Sequence, residues 1–135
     1  MQSIDSGTTV IIDRYYYSGI VYTAAKDKVN LTLQWCKAPD VGLPKPDLII
    51  FLDIDLDAAR GRGGFGDERY EKEKTQQRVR QLFYEVIEKE ESVNKLTKVI
   101  DASRSLAEVA GEVQQAAASI LDSKSLERPL ERITP

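Results

Sequence analysis

The chain has 135 residues, of which 41% are apolar and 30% charged, with a formal net charge of −3. That length suits one domain with a modest core, no apolar run reaches the roughly 18–20 residues of a membrane span, and the N-terminus lacks a signal-peptide pattern. The single Cys36 excludes an internal disulfide framework and fits a reducing compartment, while the lack of any histidine removes Ser-His and Cys-His catalysis and nearly every zinc site.

Thr8-Thr9-Val10-Ile11-Ile12 is short, β-branched and unbroken, the pattern of a strand buried on both faces, and it runs into Asp13-Arg14. Residues 15–37 read as helical with an interruption near Asn30, followed by a loop of three prolines and a glycine over 38–47. Leu48–Leu52 is a second buried strand, with Asp53 near its end. A short helical turn at Leu56–Arg60 leads to the glycine-rich Gly61–Gly66. From 67 to about 91 the spacing predicts a long helix in which Val79, Leu82, Phe83, Val86 and Ile87 form one apolar stripe, with the charged run 85–91 on its solvated side. Lys98–Asp101 is a third short strand. Ser105 and Glu108 then have the S-x-x-E spacing of a capping box, opening a helix expected to bury Leu106, Val109, Val113, Ala116, Ala117, Ile120 and Leu121. The domain is placed at 1–121, and the polar stretch 122–135, with two prolines, reads as a loosely attached tail.

Three buried strands separated by helices imply an α/β fold with a parallel sheet, and ligands of such sheets gather at the carboxyl ends of the strands. Those ends carry Asp13-Arg14, the glycine-arginine segment and Asp101-Ala102-Ser103-Arg104, a coherent anion-binding rim. Arg14 suits a bidentate phosphate contact and Asp13 a hydrated Mg²⁺, against the alternative of an internal Asp-Arg ion pair closing the strand. Residues 60–69 hold four glycines and three arginines. A phosphoryl-transfer lid is favoured there over a plain surface loop, a dinucleotide fingerprint or an RNA-binding Arg-Gly-Gly segment. The dinucleotide motif should join strand directly to helix, and an acidic chain makes nucleic-acid partners a poor expectation. Tyr15, Tyr16, Tyr17 and Tyr22 could stack on a base or pack the helix start, whereas Trp35 and Cys36 read as structural packing. No G-x-x-x-x-G-K-[ST] run occurs in the sequence.

Asp13-Arg14-Tyr15, Ser18-Gly19, Tyr22, Ala25-Lys26, Trp35-Cys36 and the run Pro39–Asp47 together resemble the middle of a eukaryotic-type thymidylate kinase. Gly63–Glu71 resembles that family's lid, spanning about 57–71, and Asp101–Arg104 its adenine-side loop. The resemblance runs in order over residues 8 to about 120. It implies ATP- and Mg²⁺-dependent phosphorylation of dTMP to dTDP by a cytoplasmic homodimer, with nucleus or mitochondrion as other compartments. By the family pattern Arg14 binds the dTMP phosphate, Asp13 acts through hydrated Mg²⁺, and Gly19 and Tyr22 line the thymine pocket. Arg62 and Arg69 meet the phosphates at transfer, Tyr70 and Gln76 face the deoxynucleotide, and Arg104 packs near the adenine. Thr75 departs from the pattern, which has Phe before the glutamine.

The resemblance also implies a P-loop nucleoside monophosphate kinase-like parallel sheet with flanking helices, of order 2-3-1-4-5. The strands present here correspond to the third, fourth and fifth. This chain is therefore expected to be a C-terminal portion lacking the P-loop strand and first helix, with a slot in the sheet whose unpaired amides cost roughly 1–3 kcal/mol each. Weak or no activity on its own follows. The alternative is a non-catalytic isoform that pairs with a full-length subunit.

Overall fold

The computed structural model describes residues 2–26, 31–61, 69–94, 97–122 and 129–135. The elements in chain order are α1 (Gln2–Asp5), α2 (Tyr16–Ala24), α3 (Leu33–Lys37) with a 3₁₀ turn at Ala38–Asp40, β1 (Ile49–Asp53), α4 (Leu56–Gly61), α5 (Arg69–Asn94), β2 (Thr97–Asp101) and α6 (Leu106–Leu121).

β1 and β2 pair in parallel, register running from Ile49 opposite Thr97 to Asp53 opposite Asp101. β1 is a short apolar run and β2 holds Thr97, Val99 and Ile100, with α4 and α5 lying between them in the chain, as a parallel crossover requires. The expected third strand at 8–12 is not formed. Its residues take no strand partner among the described residues, and Ile11 is 94% exposed with Val10 and Ile12 also exposed. A strand is stabilised by a neighbour's ladder and by burial of its faces. Thr8–Ile12 has neither here, whatever its composition favours. The described sheet accordingly has two strands, an α/β arrangement with flanking helices.

The core lies between α2, α3, α5 and the strands. Tyr16, Tyr17, Ile20 and Val21 share one face of α2 and meet the α5 stripe of Val79, Leu82, Val86 and Ile87, with Cys36 of α3 filling the same cluster. The predicted stripe is thus the buried one, with Phe83 packed partly buried beside it. Ile49 and Phe51 of β1 close the other side. Thr32 caps α3, its Oγ1 accepting from the Trp35 amide at 3.2 Å. That short helix turns Cys36 inward and leaves Trp35 60% exposed, so the packing expected of both residues holds for Cys36 alone. In this one-turn helix Cys36 lies on the side toward the core cluster, and Trp35, about 100° round the axis from it, lies on the solvent side.

Two further expectations change. The Ser105–Glu108 capping box at the start of α6 is present, but α6 packs mainly on β2 among the described residues and no residue of it is buried; Leu106 is 86% exposed. The anticipated apolar stripe is at best half-covered, because a two-stranded sheet offers α6 too narrow a surface. The stretch 122–135 also differs from its reading as a loose tail at its far end. Gly42 and Lys45 amides donate to the Ile133 and Glu131 carbonyls, and the Ile133 amide returns a bond to Leu43, all at 2.9 Å. Gly42 has φ of +89°, a left-handed turn suited to glycine. Arg132 Nη1 donates to the Gly42 carbonyl at 2.7 Å, and Ile133 sits in the main core. No helix among the described residues is long and apolar enough to cross a membrane.

Candidate functional site

Two groups of chemistry-bearing residues are built by this arrangement. The first gathers around the entry to α2. Arg14 has φ of +63°, the one non-glycine among the described residues with a positive φ. A β-carbon in that region costs roughly 1–2 kcal/mol. The kink ends the extended segment and starts α2, and it carries the guanidinium over the ring of Tyr22, with Cζ 5.5 Å from the centroid. Asp13, Arg14, Gly19 and Tyr22 are all exposed. Gly19 and Tyr22 are one turn apart on α2 and so share a face. Neither Asp13 nor Arg14 forms an ion pair among the described residues, so the Asp-Arg pair that could have closed the strand is not made. The neighbouring tyrosines divide by role. Tyr16 and Tyr17 are core residues, while Tyr22 stays on the surface with Arg14.

The loop 38–45 backs this group. The Tyr15 hydroxyl donates to the Pro44 carbonyl at 3.0 Å, and burial, with a smaller push from the Asp40 charge, raises its pKa and keeps the proton in place. A β-carbon built on Gly19 would lie 3.7 Å from Asp40 Oδ2, ordinary contact distance. An alanine therefore fits, and branches beyond it must share space with that carboxylate. Asp40 was not singled out in the sequence, since one acid in a proline-rich loop carries no signal of the helix it will face.

The second group lies at the carboxyl ends of β1 and β2. Asp53 accepts from Arg80 Nε at 2.6 Å and Nη2 at 2.7 Å, and from the Tyr84 hydroxyl at 2.6 Å. Hydrogen bonding from Arg80 chiefly, then from Tyr84, holds the Asp53 carboxyl below the usual range despite its burial. The same bonds raise the pKa values of Arg80 and Tyr84. Opposite it, Asp101 accepts from the Ser103 amide and hydroxyl, which lower its pKa. Arg104 donates to the Asp101 carbonyl at 3.2 Å and pairs with Glu112 at 2.7 Å. The sequence pattern singles out Arg104, marks Asp53 only as lying near the end of its strand, and misses Arg80 and Tyr84, whose i, i+4 spacing on a charged helix looks like solvated surface.

The remaining expected site residues distribute unevenly. Gln76 is exposed on α5, seven residues before Phe83 on the same side of the helix, or about 10 Å along it. Arg62 lies outside the described residues. Arg69 and Tyr70 start α5 by their backbone, and their side chains lie outside the described set. The lid expected at about 57–71 is described as far as α4 and from the start of α5. The structure thus brings together Arg14, Gly19 and Tyr22, with Asp13 beside them, and holds Arg104 at the strand ends.

Comparison with known proteins now decides the family. The family model described as thymidylate kinase matches residues 1–113. The chain belongs to the thymidylate kinase family. It is 45% identical over 105 residues to the human protein named thymidylate kinase, covering 78% of this chain and 47% of that one. The zebrafish (Danio rerio) thymidylate kinase is 40% identical over 129 residues, covering 96% and 58%. Among solved structures, the thymidylate kinase of Candida albicans superposes with a TM-score of 0.74 at 30% identity, over 98% of this chain and 66% of that one. The thymidylate kinase-type chain described here therefore spans about half the length of the relatives it matches.

Proposed function

We propose that this chain carries the acceptor side of a thymidylate kinase and takes part in the Mg²⁺- and ATP-dependent phosphorylation of dTMP to dTDP. The observation that carries the reading is the exposed Arg14 guanidinium, free of any described carboxylate and held over Tyr22 beside Gly19. A guanidinium so presented can grip a phosphate through two parallel N–H···O bonds. The thymine ring would lie along the Gly19–Tyr22 face of α2, an aromatic surface one helical turn long. Arg62 and Arg69 are proposed to meet the phosphates in transfer, Tyr70 and Gln76 to face the deoxynucleotide, and Arg104 to lie near the adenine.

The donor set also fits the metal. Mg²⁺ keeps most of its waters and takes one or two carboxylates, so a single exposed carboxylate is a sufficient protein ligand. Asp13, an exposed carboxylate without an ion pair among the described residues, would hold it through water. The chemistry such an ion would supply, with ATP bound, is neutralisation of charge on the transferred phosphoryl group. What the chain's own residues supply is grip and orientation: Arg14 on the acceptor phosphate, Asp13 on the hydrated ion.

The 135 residues contain no G-x-x-x-x-G-K-[ST] run, and backbone cradles of that kind hold the donor phosphates in P-loop kinases. We therefore place the donor cradle outside these residues and expect slow turnover by the 135-residue chain. Pairing with a second copy, in the cytoplasm, belongs to the same reading; the exposed Val10-Ile11-Ile12 segment is apolar surface that a partner could cover. A coupled assay of ADP release with Mg²⁺-ATP tests the catalytic part. The expected result is dTMP-dependent release well below the roughly 1–100 per second typical of kinases. Turnover inside that range would overturn the placement of the cradle, and release indifferent to dTMP would overturn the acceptor.

A further inference from the structure

A line of aromatic rings joins the two groups of residues described above. Tyr22 meets Phe83 edge to face, with centroids 6.4 Å apart and planes at 83°. Phe83 stacks on Phe51 of β1 at 4.7 Å and 22°, and Phe51 meets Tyr84 edge to face at 5.9 Å and 85°. Tyr84 ends the line by donating to Asp53 Oδ2, while Arg80 donates to both carboxylate oxygens of Asp53, and Arg80 lies 5.7 Å over the Tyr84 ring. Each end therefore carries an arginine over a tyrosine, Arg14 at one and Arg80 at the other.

The two ends differ in how firmly they are held. Tyr84 and Arg80 are tied to Asp53 by three charge-assisted bonds at the end of a paired strand. Tyr22 has an exposed ring whose described ring neighbours are Phe83 and the Arg14 guanidinium. Edge-to-face pairs have a preferred geometry as well as an attraction. A partly buried phenylalanine clamped against a strand by parallel stacking can therefore fix the tilt of a surface ring beside it. Fixing that tilt also fixes where a cation resting on the ring can sit.

We propose that Phe83 is a positioning residue for the Arg14–Tyr22 pair: stacked on Phe51 and anchored through Tyr84 to Asp53, it sets the Tyr22 ring and thereby the reach of the Arg14 guanidinium. Its consequence for nucleotide binding rests on the acceptor reading above, but the positioning itself does not. Phe83 touches neither the phosphate nor the base in that reading. It acts through Tyr22.

The test uses the 135-residue chain, isotopically labelled, without and then with dTMP. Side-chain resonances of Arg14 and ring resonances of Tyr22 are recorded for wild type, Phe83→Leu and Phe83→Tyr, alongside thermal unfolding. In the nucleotide-free chain the ring-current shift of the Arg14 side chain should collapse in Phe83→Leu and be retained in Phe83→Tyr. With dTMP, Phe83→Leu should bind about three- to tenfold more weakly, from the loss of one aromatic pair's geometry, and Phe83→Tyr should bind as wild type does. Phe83→Met, which fills comparable volume without a ring, replaces the leucine variant if that one does not fold. Unchanged Arg14 and Tyr22 resonances in a folded ring-less variant would overturn the proposal, as would equal loss in Phe83→Tyr. Resonance changes in the ring-less variants together with no dTMP binding by the wild-type chain would uphold the positioning and reject the acceptor reading, so the two failures are told apart.

Discussion

Arg14 is where the residue scale is most informative. Its positive φ is a conformation that glycine adopts freely and arginine does not, and strained backbone of this kind collects at sites where a side chain must be aimed. Arg14→Gly should therefore separate stability from function. Relief of roughly 1–2 kcal/mol of strain exceeds the loss of an exposed cation–π contact worth about 0.5–1 kcal/mol. The variant is expected to be as stable as the parent or slightly more so in urea unfolding, and to lose dTMP binding. A clear fall in stability would show that the contact with Tyr22 outweighs the strain. Asp53 gives a second residue-level prediction. Its pKa is held down in the folded chain, mainly by Arg80, so its contribution is fully present above the unfolded carboxylate value near pH 4 and is lost as pH falls through the lower folded value. Asp53→Asn should cost about 1.5 kcal/mol near pH 7, toward the low end for charged hydrogen bonds because Arg80 is half-exposed. The gap between variant and parent should close below pH 4. A gap that stays constant with pH would mean that packing, not charge, carries the cluster.

At the scale of elements, what could be read from sequence was what is local. β1, β2, α4, the α5 stripe, the Pro-rich loop and the capping box of α6 are each encoded in short-range pattern, and each is present. The segment 8–12 has the composition of a strand and is not one, because pairing depends on a neighbour that composition does not reveal. The Asp53–Arg80–Tyr84 cluster escaped notice for the same reason, its members lying 27 and 31 residues apart. The end of the chain is a subtler case. Polar residues and two prolines hide an apolar anchor, Ile133, which is 4% exposed in the core while its backbone pairs with the loop behind Tyr15. Ile133→Ala should lower stability by about 2–4 kcal/mol, the range for removing a buried branched side chain from a close-packed cluster. Urea unfolding checks this directly, and a change under about 0.5 kcal/mol would show that the segment is only lightly held.

For the whole molecule, the candidate site was legible as residues before it was legible as a place. Arg14, Gly19 and Tyr22 stand close in sequence, so a helix and its entry suffice to bring them together. Arg104 is separated from them by most of the chain, and only the sheet's register puts it at the same strand ends as Asp53. We propose above all that the 135 residues hold a dTMP site built on Arg14 and Tyr22. A calorimetric titration of the folded chain with dTMP, repeated with thymidine and with Arg14→Ala, tests it most directly. The expected result is saturable one-site binding of dTMP, with thymidine and the variant each weaker by tenfold or more, since each loses a charge-assisted phosphate contact worth about 1.5–3 kcal/mol. A folded chain that gives no heat with dTMP, or that binds thymidine as tightly, would contradict it.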